Sequence, residues 1–132
     1  HYPLRRQRQM CIRDSLATGR ARGAHGSYSN VACLNPAAAQ RWWRQMHDDP
    51  GEAVALQGRI EGFLEQYILP FLLKGYSTMA VDKLLAAIGH WCRIDSRLRW
   101  PYRWIDQETA DHLRSTARDC LPEFFSAEVL CP

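Results

Sequence analysis

Lys74 and Lys83 carry the only side-chain amines in the sequence. A lysine becomes a Schiff-base nucleophile when a desolvated pocket or a cationic neighbour lowers its pKa. Lys74 precedes Gly75 at what reads as a helix end, where a cation favours the helix dipole. Lys83 falls in the middle of a predicted helix. Neither reads as the end of a strand. His25, His47, His90 and His112 lie on four different segments, and no His-Glu-x-x-His occurs. His25 stays a candidate because it precedes the single predicted strand. There is no Gly-x-Ser-x-Gly elbow, and Gly23-Ala-His-Gly26 is followed by no Gly-Lys-Ser/Thr. Cys11, Cys33, Cys92, Cys120 and Cys131 match no zinc spacing and form no Cys-x-x-Cys. An odd, scattered set of thiols is expected to be reduced, which fits a cytoplasmic protein. No metal and no other cofactor is expected. Asp48, Asp49 and Glu52 gather at a helix boundary, where capping accounts for them. Asp82 and Lys83 could pair with neighbouring helices, but a solvated face is the better reading.

Two stretches interleave arginine with aromatic rings: Arg41-Trp42-Trp43-Arg44 and Arg97-Leu98-Arg99-Trp100-Pro101-Tyr102-Arg103-Trp104. Such stretches can stack on bases and grip phosphates. The competing reading puts tryptophan in the core or at an interface, with arginine stems over the rings. Charge distribution favours the second. Residues 1–15 hold Arg5, Arg6, Arg8 and Arg13 against Asp14, which is the whole formal net charge of +3. Residues 16–132 balance 13 basic against 13 acidic groups. No nucleic-acid partner is therefore expected, and no membrane partner, because no apolar run approaches the ~18 to 20 residues of a span. A small helical nucleic-acid-binding module remains an alternative, as does a helical interaction domain without chemistry.

The elements that would hold any site read as mostly α. A short strand is expected near Ser27–Asn30. Asn35-Pro36 supplies an N-cap and a first-turn proline for a helix over Pro36–His47. Asp49-Pro50 repeats that signal, and Leu56, Ile60, Phe63, Leu64, Tyr67, Ile68 and Phe71 recur at helical steps. That helix is expected over Pro50–Lys74, tightened or kinked at Pro70 and stopped by Gly75. Ser77 or Thr78 caps a helix over Thr78–Gly89. Cys92 to Trp104 lacks periodicity and reads as an extended connection. Asp106 caps a last helix over Gln107–Cys120, and Pro122 ends it. A single strand has no partner for its backbone groups. Its neighbours are then missing, or the strand is misread.

Two resemblances bear on this. Arg5 to Ser15, RRQRQMCIRDS, resembles the peptide obtained when sequencing-adapter read-through is translated. Residues 1–15 are on that basis expected to be non-native and to pack against nothing, the alternative being a genuine basic arm that binds nucleic acid. From Gly23 onward, GAHGSYSNVACLNP resembles the eighth strand and following turn of the dihydrodipicolinate synthase and N-acetylneuraminate lyase family. PGEAVALQGRIEGF, GYSTMAVDKLLAAIG and Arg97-Leu98-Arg99-Trp100-Pro101 resemble later segments of that family, in its order. The resemblance covers about residues 16–125. It implies a fragment of a (β/α)8 TIM barrel. Residues 16–47 would be the last strand and helix, and residues 48–132 the C-terminal helical extension.

The family's chemistry is a class I aldolase or hydro-lyase reaction on a pyruvate-like 2-oxo acid, usually in a homotetramer. It uses a Schiff-base lysine on strand six, a tyrosine from an earlier strand and a Gly/Thr-rich turn after strand two. None of these positions exists in this chain, so the resemblance implies no catalytic residue here and no activity alone. What it carries over is the mouth of strand eight. Tyr28 takes the place whose backbone contacts the 2-oxo acid, and Ser29 is adjacent.

Overall fold

Side-chain caps set the helical frame. A computed structural model of the chain describes residues 8–10 and 16–125, with residues 8–10, 27 and 28 as backbone only. Asn35 Oδ1 accepts from the Ala38 N–H at 3.1 Å and starts α3, Pro36–Asp48. Asp49 Oδ1 accepts from the Glu52 N–H at 3.3 Å and starts α4, Pro50–Phe63. Ser77 caps Thr78–Gly89 through the Ala80 N–H, and Asp106 caps Gln107–Cys120 through the Thr109 N–H. Each cap satisfies a donor that the first helical turn leaves orphaned. The described chain is mostly helical, as expected.

The long helix expected over Pro50–Lys74 is not one regular helix. A π-helical segment, Leu64–Ile68, separates α4 from α5, Leu69–Leu73. The Leu69 N–H donates to Leu64 O, one residue further back than in an α-helix. Pro70 has no N–H for the Gln66 carbonyl, and its ring would press on that carbonyl. Widening by one residue relieves both, as a π-bulge does. Gly75, at φ 87°, then closes the run.

Thr78–Gly89 is α6 and Gln107–Cys120 is α7. They pack on each other, and Arg114 of α7 donates to Ala87 O at 2.8 Å and to Ile88 O at 3.1 Å. These bonds satisfy carbonyls at the C-terminus of α6. His90, not Gly89, takes the left-handed position there, at φ 50°. Val81, Leu84, Leu85 and Ile88 bury the inner face of α6.

Three elements depart from the sequence expectation. Leu16–Ala21, a stretch of mostly small residues to which the sequence assigns no element, is a short helix, α1. Val31–Leu34 is another, α2, between the strand and α3. The strand is Gly26–Tyr28 (β2), and it has a partner: Arg8–Met10 forms β1, parallel to it. Arg8 faces Gly26, Gln9 faces Ser27 and Met10 faces Tyr28. The expectation that residues 1–15 pack against nothing is therefore corrected at residues 8–10. An open strand edge takes whatever compatible backbone reaches it. The helix α1 makes the crossover that a parallel pair needs.

The C-terminal segment folds back as a 3-10 turn, Pro122–Phe124. Phe124 is fully buried, and its carbonyl accepts from Asn35 Nδ2 at 2.9 Å. Arg41 donates to Glu123 O at 3.3 Å. Arg59 forks onto the Glu123 carboxylate at 3.1 and 2.5 Å, and this holds the carboxyl below the usual glutamate range. A depressed folded-state pKa contributes stability above the unfolded value near 4.5 that disappears as pH falls through the folded value. Both side chains are more than 40% exposed, so the effect is small. Arg59→Ala is expected to cost about 0.2–1 kcal/mol at pH 7. The difference from the parent chain should shrink progressively as pH falls below 4.5 in urea titrations. A loss that persists unchanged at pH 3 would assign it to packing of the arginine stem.

Candidate functional site

The site inferred from the family resemblance lies where β2 ends. Tyr28 is the last residue of that strand. Ser29 Oγ accepts from the Val31 N–H at 3.2 Å, so the hydroxyl starts α2. The proton of that hydroxyl has no acceptor among the described residues. Asn30 Nδ2 donates to Asp82 Oδ1 and ties the mouth of β2 to α6. The expectation that Asp82 lies on a solvated face is thus replaced by a half-buried carboxylate with a specific partner.

Cys33, on α2, is half-buried. Burial and then the Asp82 carboxylate push its thiol up from the ordinary value. A raised thiol pKa leaves little thiolate at neutral pH, which makes it a poor nucleophile. The Cys33 carbonyl accepts from Trp91 Nε1 at 2.8 Å.

Beside this mouth lies a cavity of about 270 Å³. Leu16 of α1, Val31 and Ala32 of α2 and Ala39 of α3 give it apolar walls, joined by Trp42 and Trp43. His25, Gly26, Ser29 and Gln40 complete the lining. Leu16, Val31 and Trp42 are buried, while His25 and Gln40 are exposed. The cavity is apolar at its floor and polar at its mouth. His25, kept from the sequence because of its place before the strand, is the one ionisable side chain in the lining among the described residues.

The two tryptophan-rich stretches part company. Trp42 is buried, and its Nε1 donates to Ala53 O at 3.0 Å. Trp43 is covered by the Arg20 guanidinium, 4.0 Å from its ring centroid, and Arg20 also donates to Trp43 O at 3.1 Å. This is the core reading, with the covering arginine drawn from α1 and not from the neighbouring Arg41 or Arg44. Trp100 is 90% exposed instead, with Tyr102 and Trp104 also exposed. Arg97 sits 5.9 Å from the Trp104 ring centroid.

Neither lysine enters a site. Lys74 is exposed at the end of α5, with its ammonium 5.7 Å from the Phe71 ring centroid. Lys83 lies on α6. Among the described residues, no group of three or more His, Cys, Asp or Glu side chains could hold a metal ion. No helix there is long and apolar enough to cross a membrane. Sequence reasoning missed Arg20, Gln40 and the Asn30–Asp82 link, because each depends on contacts between segments distant in the chain. No protein-family model matches the sequence, and comparison with curated proteins and with solved structures finds no match.

Proposed function

We propose that this chain is the C-terminal part of a pyruvate-type class I lyase, an aldolase or hydro-lyase of the dihydrodipicolinate synthase and N-acetylneuraminate lyase family. The observation that carries the reading is a short strand, β2, that runs through α2 into α3 and accepts parallel pairing from residues 8–10, which lie outside the family-like span. A strand leading into a helix is the repeating unit of α/β barrels, and an edge open to parallel pairing is what a barrel strand without its neighbours offers. Three-residue parallel strands bury little by themselves, and such pairs normally sit inside larger covered sheets. The ordered succession of family-like segments through residues 16–125 adds to it. In the intact enzyme Tyr28 and Ser29 would stand at the C-terminal end of the last barrel strand, where barrel enzymes place their substrates. The 2-oxo acid would be held there, while the amine comes from upstream sequence. The complete enzyme is read as a cytoplasmic homo-oligomer that needs no cofactor.

The present chain is expected to have no lyase activity. Borohydride reduction in the presence of pyruvate fixes any Schiff base as a mass increase on one lysine. No stoichiometric adduct is expected on Lys74 or Lys83. Protein carrying the upstream reading frame should give one adduct, on a lysine ending the sixth strand. Trapping on Lys74 or Lys83 would overturn the fragment reading. So would an upstream frame without βα repeats.

One observation favours a second reading. Residues 97–104 hold Arg97, Arg99 and Arg103, no carboxylate, and an almost fully exposed Trp100. Single-stranded nucleic acid stacks on such a surface. That reading expects oligothymidylate to quench tryptophan fluorescence, with an affinity that falls steeply between 50 and 200 mM salt, roughly as the number of phosphate contacts dictates. Absence of quenching at low salt would remove it.

A further inference from the structure

We infer that the cavity between α1, α2 and α3 binds a small amphipathic aromatic molecule, of phenol-to-indole size, with its ring inward and one hydrogen-bonding group at the mouth. The inference stands apart from the lyase reading, since it needs neither the lysine nor the missing strands.

Volume sets the ligand's size. An apolar cavity of roughly 150 Å³ accommodates benzene, and this one is about 270 Å³. A ring with one or two further heavy atoms fits, and a nucleotide does not. Polarity sets the orientation. The buried floor offers Leu16, Val31 and the Trp42 ring. Trp42 has already committed its only donor to Ala53 O, so it presents no unsatisfied polar atom to the cavity. At the mouth, the Ser29 hydroxyl accepts from Val31 N and keeps its proton for a ligand oxygen. His25 and Gln40, both exposed, add an imidazole and an amide to the cavity's lining.

Charge sets the class. Among the described residues, the lining contains no Lys, Arg, Asp or Glu side chain. Arg20, which covers the lining residue Trp43, is engaged by the Trp43 ring and carbonyl. A doubly charged ligand would enter without a counter-charge, at a high desolvation cost. A neutral ring bearing one hydroxyl or N–H loses little water and gains a partner. Small-molecule sites have this general build, an apolar body with a few convergent polar groups.

The test is titration of the full 15N-labelled chain with 4-methylphenol, toluene and pyruvate. 4-Methylphenol is expected to bind saturably, with Kd of about 0.1–1 mM for a ligand of this size. Shifts should concentrate on the amides of Ser29, Ala32 and Ala39 and on the indole N–H groups of Trp42 and Trp43. Toluene, without the hydroxyl, should bind several-fold more weakly. Ser29→Ala should narrow that difference. Ala39→Phe fills the cavity and should weaken 4-methylphenol at least tenfold. If that variant does not fold, Gln40→Phe at the exposed mouth blocks entry without touching the floor. Three results would overturn the inference: no saturable shift by 10 mM, binding unchanged in the blocked variants, or pyruvate saturating the same amides more tightly than 4-methylphenol. The last would give the cavity to the 2-oxo acid.

Discussion

Replacing Gly89 with alanine is expected to destabilise the chain by about 3 kcal/mol or more, near the upper end for a single added methyl group. A Cβ built on Gly89 would lie 1.6 Å from Leu34 O and 2.7 Å from Leu34 C. These are backbone atoms of α2, so no side chain can swing away. Relief requires α2 and α6 to separate, and the two are among the most extensively packed pairs in the fold. Leu34 is 2% exposed, and Ile88, next to the glycine, is fully buried, so separation opens the core. Gly58 and Gly62 of α4 provide the contrast. A Cβ at either meets nothing within 4 Å. Alanine there should stabilise by about 0.5–1 kcal/mol, through helix propensity and a less flexible unfolded chain. Urea unfolding of the three variants reads this directly, provided the slope is unchanged. Gly89→Ala within 1 kcal/mol of the parent chain would mean that α2 does not cross α6 this closely.

The contrast also shows what was legible in the sequence. Gly89 reads as a helix stop, and it does stand at the end of α6. Its close approach to Leu34 joins segments 55 positions apart in the chain and leaves no local signature. Local signals did better. Asn35, Asp49, Ser77 and Asp106 each cap the helix assigned to them, because an N-cap needs only its own side chain and the next three residues. The strand near residue 28 was visible for the same reason. The helices α1 and α2 were not, since six and four residues are too few to show a 3.6-residue period. Helix α1 owes its stability to tertiary contacts: its Ala17 N–H donates to Gln57 Oε1 of α4 at 2.8 Å, and Arg20 lies on Trp43. The candidate site divides along the same line. Ser29 was named from a motif. The cavity beside it, which α1 and α3 enclose, exists only once distant segments pack. The exposure of Trp100 was equally hidden, because a tryptophan flanked by arginines has the same local pattern at a surface as in a core.

Phe124→Ala is expected to cost about 3–5 kcal/mol, the range for truncating a buried phenylalanine. The ring is fully buried although it belongs to a 3-10 turn of three residues. So short a turn has no helical stability of its own; the apolar burial holds it. The ring joins the common core with Leu121, also fully buried, in a segment packed on α3 and α7. Removing it leaves a void beside Leu121 and loosens the Phe124 carbonyl, which satisfies Asn35 Nδ2 in a buried position. Asn35 is 6% exposed and also caps α3, so a misplaced carbonyl would strand a polar donor where water does not reach. The Arg59–Glu123 fork one residue earlier cannot compensate, because an exposed pair contributes a fraction of what the ring does. Two variants that act on this turn, one from α4 and one within it, thus separate the two terms. Arg59→Ala should shift the urea midpoint slightly, in a pH-dependent way. Phe124→Ala should shift it several times further, with no pH dependence of its own between pH 4 and 8. If the two variants proved equal in cost, the ion pair, not the ring, would be what fastens the C-terminal segment to α3 and α4.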